Sequence, residues 1–193
     1  MKLKHQAVFA ALVLSMAGIA VAESVKDVVI DRIAAPAASS HGRSAAGDAM
    51  AVSVLLESPD GTLSARSTNT LFQTGDRFRV KLLSSRDAKV SLYNTNPRGE
   101  LSSTPVWQGS VKAGLETISP RLRLDGTSGV DLLHVVMEPK RESGVVTWLT
   151  SWLRAGKESS KDIRVDVQNT DSTTYLVNNR GEGLVTTVSI AHR

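Results

Sequence analysis

The chain lacks cysteine, and only 4% of its 193 residues are aromatic. Without cysteine the protein has neither disulfide bonds nor thiolate ligands for a metal, so an ordinary hydrophobic core must stabilise the fold. Few aromatic side chains mean few platforms on which nucleic-acid bases could stack. These two absences argue against a zinc-thiolate site and against a nucleic-acid partner.

The first 22 residues have the three parts of a secretory signal peptide. MKLKH is short and basic, and the apolar run AVFAALVLSMAGIAVA ends in Ala20-Val21-Ala22, the small-x-small pattern that signal peptidase accepts. Because the apolar run is short and closes on this pattern, a cleaved signal is favoured over a membrane anchor. We expect cleavage after Ala22, a secreted or periplasmic protein, and no transmembrane segment after cleavage.

The remaining chain is nearly neutral. Lys2 and Lys4 belong to the signal peptide, and without them the formal net charge falls from +4 to +2. Such a small charge gives little support for binding to a polyanion.

The mature chain is predicted to be one domain preceded by a flexible segment. In residues 23–50 the stretch VKDVVIDRI alternates like a strand, and the remainder is rich in alanine, serine and glycine, with little to bury. We therefore predict a flexible N-terminal segment at residues 23–50 and a folded domain at residues 51–193.

Residues 75–101 read GDRFRVKLLSSRDAKVSLYNTNPRGEL and alternate apolar and polar side chains with a period of two. This alternation is typical of strands that bury one face. The inner face would carry Phe78, Val80 and Leu82, and the outer face Arg77, Arg79 and Lys81. We expect a β-hairpin that serves as scaffold, with the loops around it available for contact.

Short runs of the same kind recur along the rest of the chain. We predict further strands at residues 51–57, 115–124, 130–138, 161–168, 173–178 and 184–192, with an edge or break at Pro120 and a hairpin turn in NRGEG before the last strand. One segment, residues 144–156, has helical periodicity. This order predicts a mainly β fold, an antiparallel β-sandwich of about 7–9 strands with one amphipathic helix.

The predicted helix places five apolar side chains on one face: Val145, Trp148, Leu149, Trp152 and Leu153. Two interpretations stay open. The face could dock on a partner or a membrane surface, or it could pack across the sandwich with both indoles in the core.

Several landmarks together resemble a small β-rich domain of unknown function that occurs in bacterial envelope proteins. The resemblance covers about residues 70–140 and depends on Gly75-Asp76, the stretch FRVKLLSSRDAKVSLYNTNPRGEL, the Val-Lys-Ala-Gly at 111–114 and the run at 130–138. The family's members occur alone behind signal peptides, or fused to caspase-like peptidases and to serine/threonine kinases. The resemblance implies an envelope module and no catalytic residues.

We predict no catalytic residue, no metal site and no cofactor. Gly126-Thr127-Ser128-Gly129 only partly resembles the G-x-S-x-G motif of serine hydrolases, and it lies between predicted strands. His134 lies in the most apolar strand, where we expect a buried neutral imidazole satisfied by a backbone group. No two histidines have the spacing of a metal site. A hydrolase with an unrecognised site stays open as an alternative.

Four aromatic residues are the candidates for binding: Trp107, Tyr93, Trp148 and Trp152. Trp107 is expected in a loop, where an exposed indole can anchor a ligand, with Tyr93 as a second part of the platform. An indole at this position could equally cover the end of a sheet. The basic side chains of residues 77–81, with Arg121 and Arg123, would form a positive stripe if their strands are neighbours, or else an ordinary solvated face.

The sequence therefore favours a non-enzymatic secreted or periplasmic module that mediates protein–protein interaction or assembly in the bacterial cell envelope. The contact regions would be residues 57–70, residues 94–110 and the helix near Trp148. The envelope partner is unidentified, and the sequence indicates no oligomeric state. A periplasmic module that binds a small molecule or glycan is the alternative.

Overall fold

The computed structural model describes residues 24–34, 47–67, 69–139, 165–178 and 183–193. These residues form a helix, α1 (Val25–Ala34), and eleven strands. The strands are β1 (Asp48–Glu57), β2 (Leu63–Ala65), β3 (Arg77–Ser84), β4 (Ala88–Thr95), β5 (Trp107–Val111), β6 (Thr117–Ile118), β7 (Leu122–Arg123), β8 (Gly129–Met137), β9 (Asp166–Asn169), β10 (Thr173–Asn178) and β11 (Leu184–His192).

The strands form two antiparallel sheets. The larger sheet has the order β6-β3-β1-β10-β9, with β2 also beside β1 and β7 beside β3. The smaller sheet has the order β11-β8-β4-β5. Side chains from both sheets share one buried core, so the predicted antiparallel β-sandwich is confirmed. More than nine strands are present because three of them, β2, β6 and β7, are only two or three residues long.

The core is built by alternate side chains of the strands. Phe78, Val80 and Leu82 of β3 point inward, as the alternation predicts, and join the same cluster as Leu92 of β4 and Leu176 of β10. Burying one side chain of this size stabilises a fold by about 1.5–3 kcal/mol. The clean alternation along β3 therefore fixes which face of the larger sheet turns inward.

The predicted hairpin of β3 and β4 is wrong, because the two strands belong to different sheets. Residues 85–87 carry the chain across the core from the larger sheet to the smaller one. The predicted hairpin of β10 and β11 is wrong in the same way. Alternation reports which side chains are buried, and it does not report which strand lies alongside.

Helix α1 replaces the strand expected in VKDVVIDRI. Ser24 caps its start, since the Ser24 Oγ accepts the Asp27 N–H at 3.2 Å and donates to the Asp27 carboxylate at 2.6 Å. Val29 is buried against Ala49 of β1 and Val177 of β10, on the outer face of the larger sheet. The segment predicted to be flexible thus contains a helix packed on the sandwich, and β1 begins at Asp48, three residues before the expected domain start.

The break predicted at Pro120 is confirmed, and a tight turn joins β1 to β2. Asp60-Gly61 lies in the turn of the β1–β2 hairpin, where the Thr62 N–H donates to the Asp60 carboxylate at 2.9 Å. Pro120 interrupts the run that was expected as one strand and separates β6 from β7, and both short strands pair with β3.

The helix predicted at residues 144–156 lies outside the described residues. Within the described part of the chain, no helix has the length and apolar character needed to cross a membrane.

Candidate functional site

A groove of about 410 Å³ lies on the outer face of the larger sheet. Its floor is formed by residues of β1, β3 and β10, one wall by α1, and the other by residues around the turn that precedes β6. The lining residues are Val29, Ile30, Ile33, Ala34, Ala51, Ser53, Lys81, Leu83, Gly114, Glu116, Thr173 and Tyr175. Binding pockets for small ligands commonly have volumes of about 300–1,000 Å³, so the groove is large enough for one or two side chains of a partner.

Small side chains on β1 create the depth of this groove. Ala51 and Ser53 alternate with the core residues of β1 and face outward, so the sheet presents little bulk between α1 and the opposite wall. The opposite wall is held close by Gly114, whose φ of 69° suits glycine, and whose N–H donates to the Ser84 carbonyl at 2.9 Å.

The groove combines apolar walls with a polar floor and a charged rim. Ile30 is 46% exposed, a large fraction for an isoleucine. On the floor, the hydroxyls of Ser53 and Thr173 hydrogen-bond to each other at 2.9 Å. At the rim, Lys81 forms an ion pair with Glu116 at 3.0 Å. Such a surface fits an apolar side chain carried on a polar chain.

The basic residues beside the groove lie on neighbouring strands, as the interpretation of a positive stripe required. Acidic partners, however, compensate the charge of most of them. β7 pairs with β3, so that Arg77 lies opposite Arg123. Glu57 is buried between Arg79 and Arg121 and binds both of them. The hydrogen bond from the Arg121 guanidinium, aided by Arg79, holds the pKa of the Glu57 carboxyl below its usual value.

Lys81 pairs with Glu116 and Arg123 with Asp125 on the same face. This pairing favours the interpretation of a solvated, charge-balanced face over that of a positive stripe.

One end of the sandwich is closed by a buried ion pair, which we call the arginine end. Asp48 is fully buried and accepts hydrogen bonds from Arg86 Nε at 2.6 Å and Arg86 Nη2 at 3.0 Å. Arg86 also donates to the carbonyls of Asp87 and Glu138, and the Gly183 N–H donates to the Asp48 carboxylate. The guanidinium thus connects β1 with the ends of both sheets.

The opposite end is closed by a polar chain, which we call the histidine end. The Asp131 carboxylate is 2.8 Å from His192 Nε2 and accepts a 2.8 Å hydrogen bond from the Asn94 amide. His192 Nδ1 lies 2.8 Å from the Thr74 hydroxyl. Beside this chain a smaller cavity of about 180 Å³ is lined by Asn94, Asp131 and apolar residues that include Val106.

Thr74, His192 and Asp131 have the order of a hydrolase triad, hydroxyl to imidazole to carboxylate. Acyl transfer also needs unpaired N–H donors close to the nucleophile to stabilise the oxyanion. The backbone N–H groups of residues 73–76 donate instead to Asp76, Arg193, Leu124 and Gln73 in turn. The geometry fits a structural connection between the start of β3 and the end of β11.

His134 is buried and neutral, as expected, but its partners are side chains. Its Nε2 lies 2.8 Å from the Thr95 hydroxyl and its Nδ1 lies 2.9 Å from the Thr187 hydroxyl. Burial lowers the pKa of the imidazole below its usual value of 6.5. The expectation of a backbone partner is therefore wrong, because the neighbouring strands β4 and β11 place a threonine hydroxyl near each ring nitrogen.

Trp107 and Tyr93 do not form one platform. Trp107 lies on strand β5 and not in a loop, pairs with Leu92 of β4, and packs against the core. Tyr93 follows Leu92 and therefore lies on the other face of the smaller sheet, where it is buried. Burial raises the pKa of its phenol, with a smaller contribution from Glu138. Trp148 and Trp152 lie outside the described residues.

The remaining features predicted from the sequence are the serine of the partial hydrolase motif and the two loop regions expected to make contacts. Ser128 is exposed in the connection from β7 to β8, and the hydrogen-bond partners of His134 and His192 are other side chains, namely Thr95, Thr187, Thr74 and Asp131. Of the expected contact regions, residues 57–70 contain the exposed strand β2, and residues 94–110 contain β5 and exposed Val106. Among the described residues, no group of three or more potential ligands could hold a metal ion.

The groove and the histidine end were not predicted from the sequence. A signal for α1, which forms one wall of the groove, was present in the helical spacing of apolar residues 25, 28, 29 and 33 after Ser24. The pairing of His192 with Asp131 had no local signal, because it depends on the register of β8 against β11.

These features define the class of protein: an antiparallel β-sandwich with an apolar groove beside its packed helix. No protein-family model matches the chain, and no curated protein or solved structure matches it either. The groove and the polar networks thus carry the functional argument.

Proposed function

We propose that this protein is a non-enzymatic module of the bacterial cell envelope, secreted or periplasmic, that binds a protein partner through the groove between α1 and the turn before β6. The envelope location rests on the signal-peptide pattern of residues 1–22 and on the family resemblance. The binding role rests on the groove itself.

The observation that carries the proposal is the exposed isoleucine in a concave, partly apolar surface. Ile30 is about half exposed although neighbouring Val29 is fully buried, so α1 presents apolar side chains both to the sheet and to the groove. Exposed apolar surface that lines a concavity and is rimmed by charge is typical of interaction sites.

The lining favours a protein side chain over a sugar as the occupant. Sugar-binding sites commonly stack rings on aromatic side chains, and Tyr175 is the one aromatic residue among those that line the groove. The apolar wall of α1 would take an aliphatic side chain, while Lys81 and Glu116 at the rim would meet polar groups of the partner's backbone or side chains. Binding of a small molecule or glycan in the same groove is the alternative.

Site-specific photocrosslinking in cells tests this proposal. A photoreactive residue at Leu115, which is 61% exposed beside the groove, should give an adduct with an envelope protein. The same residue at Val167, 47% exposed on the edge strand β9, serves as the control and should not give this adduct. Ile30→Lys should reduce the Leu115 adduct at least tenfold.

Ile30→Lys should leave folding intact, because surface substitutions usually change the free energy of unfolding by less than about 0.5 kcal/mol. A urea titration checks this. An adduct that forms equally at both positions, or that survives Ile30→Lys, would refute groove-mediated binding. Retention of the purified protein on a polysaccharide, lost in Ile30→Lys, would support the alternative instead.

A further inference from the structure

Strand β2 leaves one edge of the larger sheet open. β3 pairs with β1 on one side from Met50 to Glu57, so β10 and β2 share the other side. β10 lies beside Asp48–Ser53 and has β9 beyond it, whereas β2 lies beside Leu55–Glu57 and, among the described strands, pairs with β1 alone. The residues of β2 are all exposed. The larger sheet can therefore be extended by one strand beside β2, in line with β9.

The backbone of β2 has free hydrogen-bonding groups on this edge. Alternate residues of an antiparallel strand direct their N–H and C=O groups to the same side. The Arg66 N–H donates to the Val54 carbonyl at 2.9 Å, so Arg66 and, two residues before it, Ser64 face β1. The N–H and C=O groups of Leu63 and Ala65 therefore face away from β1. Free groups of this kind on an edge strand are those that bind an extended segment of another protein.

Arg66, directly after β2, is a cation without an acidic partner. Its guanidinium lies over the Phe72 ring, 5.7 Å from the ring centroid. Its Nε is buried and has no hydrogen-bond partner within the described ranges, and none of the ion pairs found there includes Arg66. Leaving a desolvated cationic group unpaired is costly. Because the side chain as a whole is only half-buried, a carboxylate of a partner can reach its terminal nitrogens and compensate the charge.

The two faces of β2 define the kind of strand that fits. Side chains opposite each other in a sheet lie on the same face. Arg66 is opposite the core residue Val54, so its side chain lies on the core side of the sheet. Leu63, three residues away, lies on the outer face and is 37% exposed. A strand added at this edge would thus place an acidic side chain against Arg66 and, three positions along, an aliphatic one against Leu63.

A second copy of the same edge does not have this chemistry. Residues 62–66 read TLSAR and contain no carboxylate. The nearest acid before them, Asp60, already accepts the Thr62 N–H within the turn. Pairing of two β2 edges would therefore leave both Arg66 guanidinium groups uncompensated, which favours a different, acidic chain as the occupant.

We propose that the edge of β2 binds an extended acidic segment of another protein as an additional strand of the larger sheet, with a carboxylate paired to Arg66. The site lies within residues 57–70, where contacts were expected from the sequence. It goes beyond the proposed function, because none of the residues that line the groove belongs to β2. Failure of groove binding would therefore leave this proposal standing, and the reverse also holds.

Amide hydrogen exchange of the free protein, followed by NMR, tests the edge first. The Leu63 and Ala65 amides should exchange at least tenfold faster than the Arg66 amide, because Arg66 is hydrogen-bonded to β1. Slow exchange at Leu63 and Ala65 would overturn the proposal, since the edge would then be covered. Equally fast exchange at all three would overturn it too, since β2 would not be held as a strand.

A peptide titration then tests the pairing with Arg66. The probe is the end-blocked peptide Thr-Thr-Glu-Thr-Val-Leu-Thr, which has one carboxylate and a leucine three positions after it. Its binding should slow the exchange of the Leu63 and Ala65 amides. The same peptide with glutamine in place of glutamate should bind wild type at least threefold more weakly.

Arg66→Met should remove the preference for the glutamate peptide, because methionine keeps an unbranched stem over the Phe72 ring but has no charge. Lys112→Met is the matched control, since it removes one positive charge from an exposed ion pair with Asp87, and it should keep the preference. Absence of binding at the highest soluble peptide concentration, or equal binding of the two peptides to wild type, would overturn the proposal.

The backbone pairing has its own variant. Ala65→Pro removes an N–H that faces away from β1, a position at which an edge strand tolerates proline, and it should abolish binding of the peptide. If this variant unfolds, the peptide supplies the same test. N-methylation of the threonine after the glutamate, whose N–H would face Ala65, should abolish binding, and N-methylation of the following valine should not. Equal binding of the two methylated peptides would refute the added strand.

Discussion

The two ends of the sandwich are closed by the same device with different partners. At the arginine end, Asp48 binds a guanidinium that also reaches two backbone carbonyls. At the histidine end, Asp131 binds an imidazole and a neutral amide. Both carboxylates are almost completely buried, and both connect segments that are remote in sequence.

The difference lies in the charge of each partner. An arginine stays charged at any pH at which the protein is folded, so its pair with a buried carboxylate is permanent. The partners of Asp131 are an imidazole and a neutral amide, and neither of them is a permanent cation. The two ends are therefore expected to contribute differently to the free energy of unfolding. The substitutions that test this difference are given in order of decreasing expected effect.

Asp48→Asn should have the largest effect. It removes the charge that compensates Arg86, and breaking a buried ion pair commonly costs about 3–5 kcal/mol of folding free energy. Urea unfolding at pH 7 measures the loss. Asp87→Asn removes an exposed carboxylate that pairs with Lys112, and it is the matched control, for which we expect almost no change. Equal losses in both variants would mean that Asp48 does not hold this end.

Asp131→Asn should cost less, about 1–3 kcal/mol, because the partners it leaves unpaired carry no permanent charge. The same urea titration applies, with exposed Asp125→Asn as the control. A loss as large as that of Asp48→Asn would break the distinction between the ends. Since the ends lie at opposite extremes of the strands, the losses should add in the double variant, and a departure from additivity would show that they are coupled.

Glu57 offers a third buried carboxylate, and its pH dependence has a defined sign. Its folded pKa lies below the usual 4.5, mainly because Arg121 and then Arg79 donate to it. The stabilisation is present above pH 4.5 and is lost as the pH falls through the folded pKa, since the unfolded chain takes up the proton first. The difference in unfolding free energy between wild type and Glu57→Gln should therefore shrink from pH 6 to pH 3.

If that difference stayed constant with pH, the two arginines would not perturb Glu57. Arg121→Gln offers the complementary check, because it removes the largest cause of the pKa shift. The variant should lose stability at pH 6, and its free energy of unfolding should depend less on pH between pH 6 and pH 3 than that of wild type.

His134→Gln should have the smallest effect on the free energy of unfolding. Its pKa shift disfavours the charged form, whereas that of Glu57 favours it. Burial lowers the folded pKa of His134 below 6.5, so the unfolded chain binds the proton first when the pH falls below 6.5. Wild type should lose stability relative to His134→Gln between pH 7.5 and pH 5, by less than about 1.4 kcal/mol per pH unit, the limit for one proton. All other titratable groups are present in both proteins, so their contributions cancel in the difference.

A flat difference curve for His134 would contradict a folded pKa that burial lowers.

Strand positions were predictable where alternation met a turn signal. β10 and β11 coincide with the predicted residues 173–178 and 184–192, and Pro120 marks the break between β6 and β7. Burial of alternate side chains is a local property, so one strand's sequence is enough to show it.

The pairing of the strands and the geometry of the candidate site could not be predicted from the alternation within one strand. The assignment of β3 and β4 to different sheets depends on the partners of both strands, which lie far away in sequence. The groove requires α1 to be a helix and β1 to lie between β3 and β10, and the histidine end requires one register of β8 against β11. Each of these is a long-range property with no signature in a short stretch.

The ladder between β1 and β10 joins Asp48 to Asn178, almost the two ends of the described chain. Contacts between residues so distant in sequence slow folding, since the intervening chain must first be brought to order. During synthesis β1 emerges early, and its edge stays unpaired until β10, the tenth of the eleven described strands, has emerged. We therefore expect the protein to fold slowly and to need protection against aggregation. A C-terminal truncation that removes β10 would leave the central strand β1 without one of its partners.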